Sequence, residues 1–484
     1  MVPWCGSAPT RPVPAIAPVS VGRASPQQPE LVAPVIRALL DTTAAGSALA
    51  ADERLGLQAG SEVRSFYGSA CLPAWTPAAD SLNSGSFNSD ITAALALLSR
   101  APEYGLRAAD YGTTRLQALR DSLIRPVSPG QRVRQQALLE VYLSDAVLCF
   151  MRDIGRGRLR PHAASAREKA VGLAAQPAGV LRAALSRHAV PAAMLAGQPT
   201  NREYRQLQQA LVRWLTLPVA PDSVAYQRAR YEQVALNLER WRWEAWPPAA
   251  EYVLINIPAY ELQVVAHDSV RRRHRVIVGK PQTRTPTLSS SITHFTLAPG
   301  WHVPRSIATK DLLPRVKKDA GYLARNNYAL YDDRGRQLDP FRISWARVTA
   351  QNFAYTIRQS PGCDNALGNI VFRFANPYSV YVHDTPQRQL FARSVRALSH
   401  GCIRLEQPMQ LAAYLLGREG NLAQLPTEDE CARSPRPSSV YLRRPMPLYV
   451  RYATCTAENG YLQFLPDIYH RDELIRRALF GPRA

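Results

Sequence analysis

One histidine and one cysteine in the C-terminal half are the residues best suited to covalent chemistry. His383 ends a strand-like run, and Cys402 lies 19 positions later in the tight turn Ser399–Cys402. A thiol is mostly protonated at neutral pH and needs a base or a positive environment to become a nucleophile. A strand-end histidine and a turn cysteine can meet if the loop between them folds back. The pair is therefore a candidate acyl-transfer site, with a buried cysteine and a structural histidine as the alternative.

The glycine before the cysteine fits the same chemistry. Gly401 lets the backbone turn sharply and leaves amide N–H groups beside the sulfur. A tetrahedral intermediate would place its oxyanion there. The segment thus contains a candidate nucleophile, base and oxyanion site.

The wider pattern resembles the YkuD-type L,D-transpeptidase family. Its signature is a histidine, a spacer of about this length, then Ser/Thr-His-Gly-Cys, an apolar residue and Asn or Arg. Segments outside the signature resemble the large, scaffold-bearing branch of this family, and the resemblance covers roughly residues 60 to 475. The signature positions here are His383, Ser399, His400, Gly401, Cys402, Ile403 and Arg404; the further segments include Phe66-Tyr67, Pro73–Trp75, Asn237–Trp241, Trp301–Pro304, Gln359–Gly362 and Asn365–Gly368.

The resemblance implies a reaction and its residues. Cys402 would attack the carbonyl of the diamino acid at position three of a peptidoglycan stem, release D-Ala and hold a thioester. The side-chain amine of a second stem would then form a 3→3 cross-link. His383 would move the protons, and backbone amides near Gly401 and Cys402 would hold the oxyanion. No metal or cofactor is implied, a backbone carbonyl often replaces the triad carboxylate, and a carbapenem is expected to acylate Cys402.

Other residues receive supporting roles by the same resemblance. Arg404 is a candidate for binding a stem carboxylate, with a structural salt bridge as the alternative. His400 is expected to support the turn or the substrate, and Ser399 to donate a hydrogen bond near the oxyanion. Trp301 and Tyr322 are substrate-capping candidates, with plain packing as the alternative. Asp384 is expected to cap a turn rather than join a triad.

The element pattern predicts an α+β protein. Helical character runs from about Leu31 to Trp246, including an apolar stripe at Gln131–Ile154, and strand-like alternation starts near Glu251. We predict a flexible Pro-rich tail at 1–30, a helical scaffold domain at 31–248 and a mainly β catalytic domain at 249–430. A capping subdomain at about 298–360 and a C-terminal extension at 431–484, packing on either domain, complete the chain. The peptidoglycan-binding module that larger members carry is missing between Pro218 and Leu238.

Composition limits the partners. The formal charge is +21, from 59 Lys and Arg against 38 Asp and Glu, which favours an anionic polymer or surface. The basic residues are spread along the chain without a nucleic-acid-binding motif, so stem peptides and peripheral wall or membrane association are expected instead of nucleic acid. No apolar run reaches membrane-spanning length. A periplasmic or envelope location is expected, although no export signal is visible.

Cysteine spacing adds little. The seven cysteines form no C-x-x-C pair, which argues against a structural zinc site. Cys431 and Cys455 are a candidate disulfide in an oxidising compartment.

Three alternatives stay open. A cysteine peptidase of the papain-like or wall-amidase type normally has its cysteine before its histidine, the reverse of the order here. A non-catalytic wall-binding protein would not need both His383 and Cys402. The same residues would also serve an enzyme that attaches a protein, exchanges a D-amino acid or hydrolyses the acyl-enzyme.

Overall fold

A computed structural model describes the chain over residues 28–43, 47–76, 89–159, 176–218, 220–244, 249–362, 364–422, 425–427, 430 and 436–481. The predicted tail, apart from residues 28–30, lies outside these residues. So do residues 245–248, at the end of the predicted scaffold domain, and Cys431, while Cys455 is a buried, free thiol. No helix in the described ranges is long and apolar enough to cross a bilayer.

The described residues before the first strand are mostly helical. Capping residues visible in the sequence mark some of the helix ends. For example, the side chain of Asn201 caps the helix that starts at Arg202. The predicted stripe at Gln131–Ile154 lies in a single helix of 28 residues, with Val141, Val147 and Phe150 buried. These helices are α1 (Gln28–Leu40), α2 (Ala48–Leu55), α3 (Gly60–Tyr67), α4 (Ser89–Ser99), α5 (Thr113–Ile124), α6 (Pro129–Arg156), α7 (Pro177–Leu185), α8 (Val190–Leu195), α9 (Arg202–Leu215) and α10 (Val224–Arg242).

The chain divides into two compact units. The first comprises Met1–Leu98, Ala109–Phe150 and Ala175–Met194, and the second comprises the remaining residues. In the first unit the α6 residue Glu140 is fully buried and accepts hydrogen bonds from the backbone N–H groups of Ala74, Trp75 and Thr76. The hydroxyls of Thr76 and Tyr67 donate to the same carboxylate. One acidic side chain thus fixes a loop that has no regular structure of its own.

The second unit is built on a β-sheet that closes on itself. Its strands follow the order β11-β3-β12-β10-β9-β4-β13-β1-β2, and β2 also pairs with β3. Helix α14 (Pro408–Gly417) and the inward-facing apolar residues fill the interior. The strands are β1 (Glu251–Asn256), β2 (Glu261–Ala266), β3 (Ser269–Gly279), β4 (Leu288–Leu297), β9 (Ile370–Phe374), β10 (Val382–His383), β11 (Ala397–Ser399), β12 (Ile403–Leu405) and β13 (Ser438–Arg451).

Helices α9 and α10 pack on the outer face of this sheet. Leu207, Leu238 and Trp241 contact Tyr252 and Tyr449 there. The predicted scaffold domain at 31–248 includes these helices, and their apolar faces are buried against strands of the second unit.

The segment between β4 and β9 forms a small layer of its own. A four-stranded sheet, ordered β5-β8-β6-β7, packs with short helices around buried residues such as Phe353 and Leu323. Its elements are β5 (Trp301–His302), α11 (Arg305–Ile307), α12 (Leu313–Lys318), α13 (Tyr322–Arg325), β6 (Tyr328–Tyr331), β7 (Gln337–Leu338) and β8 (Thr356–Gln359). We call residues 298–360 the capping segment.

The C-terminal segment contributes to the sheet itself. β13 lies between β4 and β1, and is therefore an interior strand rather than part of an extension that packs on a finished domain. The hairpin β14 (Cys455–Glu458) and β15 (Tyr461–Phe464) and helix α15 (Asp472–Phe480) follow it. The fold as a whole is α+β, with a helical N-terminal region and a mainly β C-terminal one, as predicted.

Candidate active site

Strand register brings the predicted cysteine and histidine to one face of the sheet. β10 and β12 run parallel, with Val382 opposite Ile403 and His383 opposite Arg404. Val382 and Ile403 point into the core. Because side chains alternate along a strand, Tyr381 and His383 share the other face with Cys402 and Arg404. The 18 residues between His383 and Cys402 thus fold back, as the predicted site requires.

A backbone carbonyl fixes the protonation state of His383. Its Nδ1 lies 2.6 Å from the carbonyl oxygen of Asp384, and a carbonyl only accepts, so Nδ1 carries the proton and Nε2 has the free lone pair. Burial, assisted by the positive charge of Arg404, lowers the pKa of His383 to about 3, although the bond to Asp384 opposes this. The imidazole is therefore a neutral base at physiological pH.

The carboxylate of Asp384 is used elsewhere. It accepts a hydrogen bond from the backbone N–H of Asn369 and lies 3.6 Å from the guanidinium of Arg388. Gly368 precedes this turn at φ +60°, and a Cβ there would lie 2.4 Å from the Asp384 carboxylate. The side chain therefore holds the Gly368–Asn369 turn, while its backbone oxygen serves His383.

The turn before Cys402 is held by Ser399. The Ser399 hydroxyl donates to the carbonyl of Cys402 at 2.5 Å and accepts from the N–H of Gly401 at 3.1 Å. The single hydrogen of this hydroxyl is therefore already donated. In this structure Ser399 holds the turn, and it does not offer that hydrogen to an oxyanion. Gly401 adopts φ +122°, where L side chains are strained, although no atom lies within 3.8 Å of a Cβ built there.

A second layer of hydrogen bonds fixes Gly401 from below. Thr285 donates from Oγ1 to the carbonyl of Gly401 and accepts from the N–H of Gly279, each at 2.9 Å. The hydroxyl of Tyr469 accepts from the Thr285 N–H at 3.2 Å and donates to the Gly279 carbonyl at 2.7 Å. Thr285 and Tyr469 are both fully buried. The sequence analysis missed this support because its members are distant in the chain.

The sulfur lies in a mostly buried, positively charged setting. Burial raises the pKa of the Cys402 thiol, whereas hydrogen bonding from Tyr381 and the charges of Arg373 and Arg404 act to lower it. Burial also raises the pKa of Tyr381 to about 12, so its hydroxyl stays protonated. Cys402 is therefore a thiol at rest that ionises when a base takes its proton. Tyr381 and Arg373 were not singled out from the sequence, where only strand pairing could have found them.

Arg404 and His400 flank the nucleophile in different ways. Arg404 donates to the side-chain carbonyl of Gln387 at 2.7 Å, and no carboxylate among the described residues forms an ion pair with it. The salt-bridge alternative for Arg404 thus finds no partner in the described part of the chain. His400 Nε2 lies 2.9 Å from a carboxylate oxygen of Asp311, which joins the nucleophile turn to the capping segment.

The two capping candidates differ in position. The side chain of Trp301 lies close enough to the Tyr381 hydroxyl to act to lower its pKa, which places Trp301 near the Cys402 face. Tyr322 instead accepts from Arg315 at 2.7 Å and stacks against Tyr328 within the capping segment. No group of three or more potential metal ligands occurs among the residues that the structure describes.

Comparison with known proteins defines the class. Residues 250–427 match the model of the YkuD L,D-transpeptidase catalytic domain, and residues 61–211 match that of the Scaffold domain. The chain thus combines a YkuD L,D-transpeptidase catalytic domain with a Scaffold domain.

Two individual L,D-transpeptidases are also similar to this chain. A Haemophilus influenzae protein named "Putative L,D-transpeptidase" is 36% identical over 284 residues, covering 59% of this chain and 55% of that protein. The chain thus matches about half the length of this relative. A solved L,D-transpeptidase from Mycobacterium smegmatis matches 42% of this chain and 59% of its own, at 16% identity and a TM-score of 0.21.

Proposed function

We propose that the protein is a peptidoglycan L,D-transpeptidase of the cell envelope that forms 3→3 cross-links through a thioester on Cys402. The observation that carries this proposal is the shared face of Cys402 and the neutral, carbonyl-oriented His383. L,D-transpeptidases that carry this catalytic domain act on peptidoglycan, and the +21 charge suits an anionic polymer. No described feature favours a cysteine peptidase or a purely binding role.

Acylation begins with proton transfer from the Cys402 thiol to Nε2 of His383. The sulfur forms a bond to the carbonyl carbon at stem position three, and the carbonyl oxygen becomes an oxyanion. Gly401 already donates its N–H to Ser399, whereas the N–H of Cys402 has no acceptor among the described residues. The backbone N–H of Cys402 and the hydroxyl of Tyr381 are therefore the groups that would donate hydrogen bonds to the oxyanion. When the C–N bond breaks, the proton on His383 goes to the leaving D-Ala amine.

Deacylation reverses these roles. The amine of a second stem attacks the thioester carbonyl and gives its proton to His383, and the sulfur leaves with a proton returned from the imidazole. Arg404, which has no carboxylate partner among the described residues, is suited to bind a stem carboxylate. Water, a D-amino acid or a protein amine would use the same steps.

The test is product analysis with a matched cysteine control. The purified protein is incubated with tetrapeptide-rich wall fragments, and the muropeptides are separated and identified by mass spectrometry. We expect 3→3 dimers from the native chain and from Cys71→Ala, a buried thiol of the first unit, and none from Cys402→Ala. Shortened stems without dimers would show that water is the acceptor, and D-amino-acid-exchanged stems without dimers would show that a D-amino acid is. Either result would overturn the proposed cross-linking. Dimers from Cys402→Ala would refute the nucleophile.

A further inference from the structure

The face of the sheet that holds Cys402 continues across three more strands beyond β10. Antiparallel pairing places Tyr381 beside Arg373, Arg373 beside His294, and His294 beside Tyr441. These side chains form one row that runs from Cys402 through β10, β9 and β4 to β13. Since neighbouring strands lie about 4.8 Å apart, Tyr441 is about 19 Å from the nucleophile along the row.

The far end of the row is an exposed aromatic pair. Tyr441 stacks on His294, with ring centroids 4.7 Å apart and planes inclined by 22°, and it is 71% exposed. A stacked ring held flat at the surface presents an apolar face with a polar hydroxyl at its edge. This is the surface that the C–H face of a sugar ring packs against. Packing within the protein does not account for Tyr441, because most of its side chain meets solvent.

The middle of the row is a cation without an acidic neighbour. The guanidinium carbon of Arg373 lies 4.9 Å from the centre of the Tyr381 ring. Within the described ranges no carboxylate forms an ion pair with Arg373. A half-buried arginine held on an aromatic face is pre-organised to bind a carboxylate.

We propose that Tyr441, His294 and Arg373 form a donor subsite that binds the sugar and the adjoining acidic part of a stem-bearing glycan. This inference rests on the proposed function. With the carbonyl of stem position three at Cys402, the two preceding residues and the link to the sugar extend by roughly 10 Å or more. The stem carboxylate then lies within reach of Arg373, and the glycan begins near that residue and continues along the row to His294 and Tyr441.

The proposal also gives the C-terminal segment a function. Tyr441 lies outside residues 250–427, which match the catalytic family model, and β13 carries it into the row. The protein would in this way hold the glycan on the catalytic sheet itself.

The test compares two soluble donors that differ only in the sugar. Thioester formation or D-Ala release is measured with a disaccharide-tetrapeptide and with the free tetrapeptide. We expect the native protein to favour the sugar-bearing donor, chiefly through KM, by about fivefold to tenfold, the size expected of one lost aromatic contact. Tyr441→Ala abolishes this preference and leaves the free tetrapeptide unaffected. Arg373→Gln raises KM for both donors. The control Tyr226→Ala removes a tyrosine of similar exposure from α10 and leaves the preference intact.

The outcomes separate this inference from the proposed function. Equal use of the two donors by the native chain, or a preference that survives Tyr441→Ala, would overturn the subsite and leave the transpeptidase intact. No turnover of either donor would overturn the proposed function itself.

Discussion

The pH dependence of acylation follows from the state of His383. Burial lowers its pKa to about 3, so the imidazole is a free base throughout the range in which an ordinary histidine titrates. We expect the rate at which a carbapenem acylates Cys402 to show no inflection near pH 6.5 and to stay level from about pH 5 to pH 8. His383→Gln should lower this rate by about two to four orders of magnitude. The residual rate should rise about tenfold per pH unit as hydroxide ionises the thiol.

Stability supplies an independent reading of the same group. Between pH 6.5 and about 3 the unfolded histidine binds a proton and the folded one does not, so stability falls as pH falls through this window. The loss is up to about 1.4 kcal/mol for each pH unit. Denaturant unfolding at a series of pH values should show a steeper acid loss for the native chain than for His383→Gln. An acylation profile with a midpoint near pH 6.5, or equal acid sensitivity of both proteins, would refute the neutral-base assignment.

Three further substitutions test the support of the site and the first unit. Gly401→Ala forces a side chain onto φ +122°, at a cost of about 1–3 kcal/mol. It should slow acylation strongly and lower Tm only slightly. An acylation rate equal to that of the native chain would show that the turn geometry is not required. Tyr469→Phe removes the bonds to Thr285 and Gly279 and should slow acylation about tenfold. The control Tyr252→Phe loses a hydrogen bond to Glu203 where α9 packs on the sheet and should cost stability alone. Equal acylation rates of the native chain and Tyr469→Phe would remove Tyr469 from the site. Glu140→Gln leaves several buried donors without an acceptor and should cost about 3 kcal/mol in denaturant unfolding, and a cost near zero would contradict the role given to that carboxylate.

The local sequence predicted the residues at the centre of the candidate site but not the residues around them. The strand-end His383 and the Ser399–Cys402 turn were readable because glycine, serine and cysteine act within a few residues of one another. Tyr381, Arg373 and Tyr469 enter through strand pairing and long-range packing, which one sequence does not reveal. Ser399 was expected to donate to the oxyanion, and the sequence did not show that its hydroxyl closes the turn instead.

The C-terminal segment shows why part of the fold escaped prediction. β13 contains Pro445 and Pro447, residues that argue against a central strand. The structure accommodates Pro445 where the register with β4 shifts, between Tyr441 and Met446, whereas Pro447 lies in the paired part of the strand opposite Ser291. A strand interrupted in this way does not show the alternation by which strands are recognised, so the segment resembled an appended extension.

The most direct test of the central claim is to locate the acyl group. The protein is mixed with a carbapenem, its intact mass is measured, and the modified peptide is sequenced by mass spectrometry. We expect one adduct, on Cys402, that forms at neutral pH in the native chain and is absent from Cys402→Ala. An adduct on Cys71, Cys149 or Cys455, or none on a folded native protein, would contradict it.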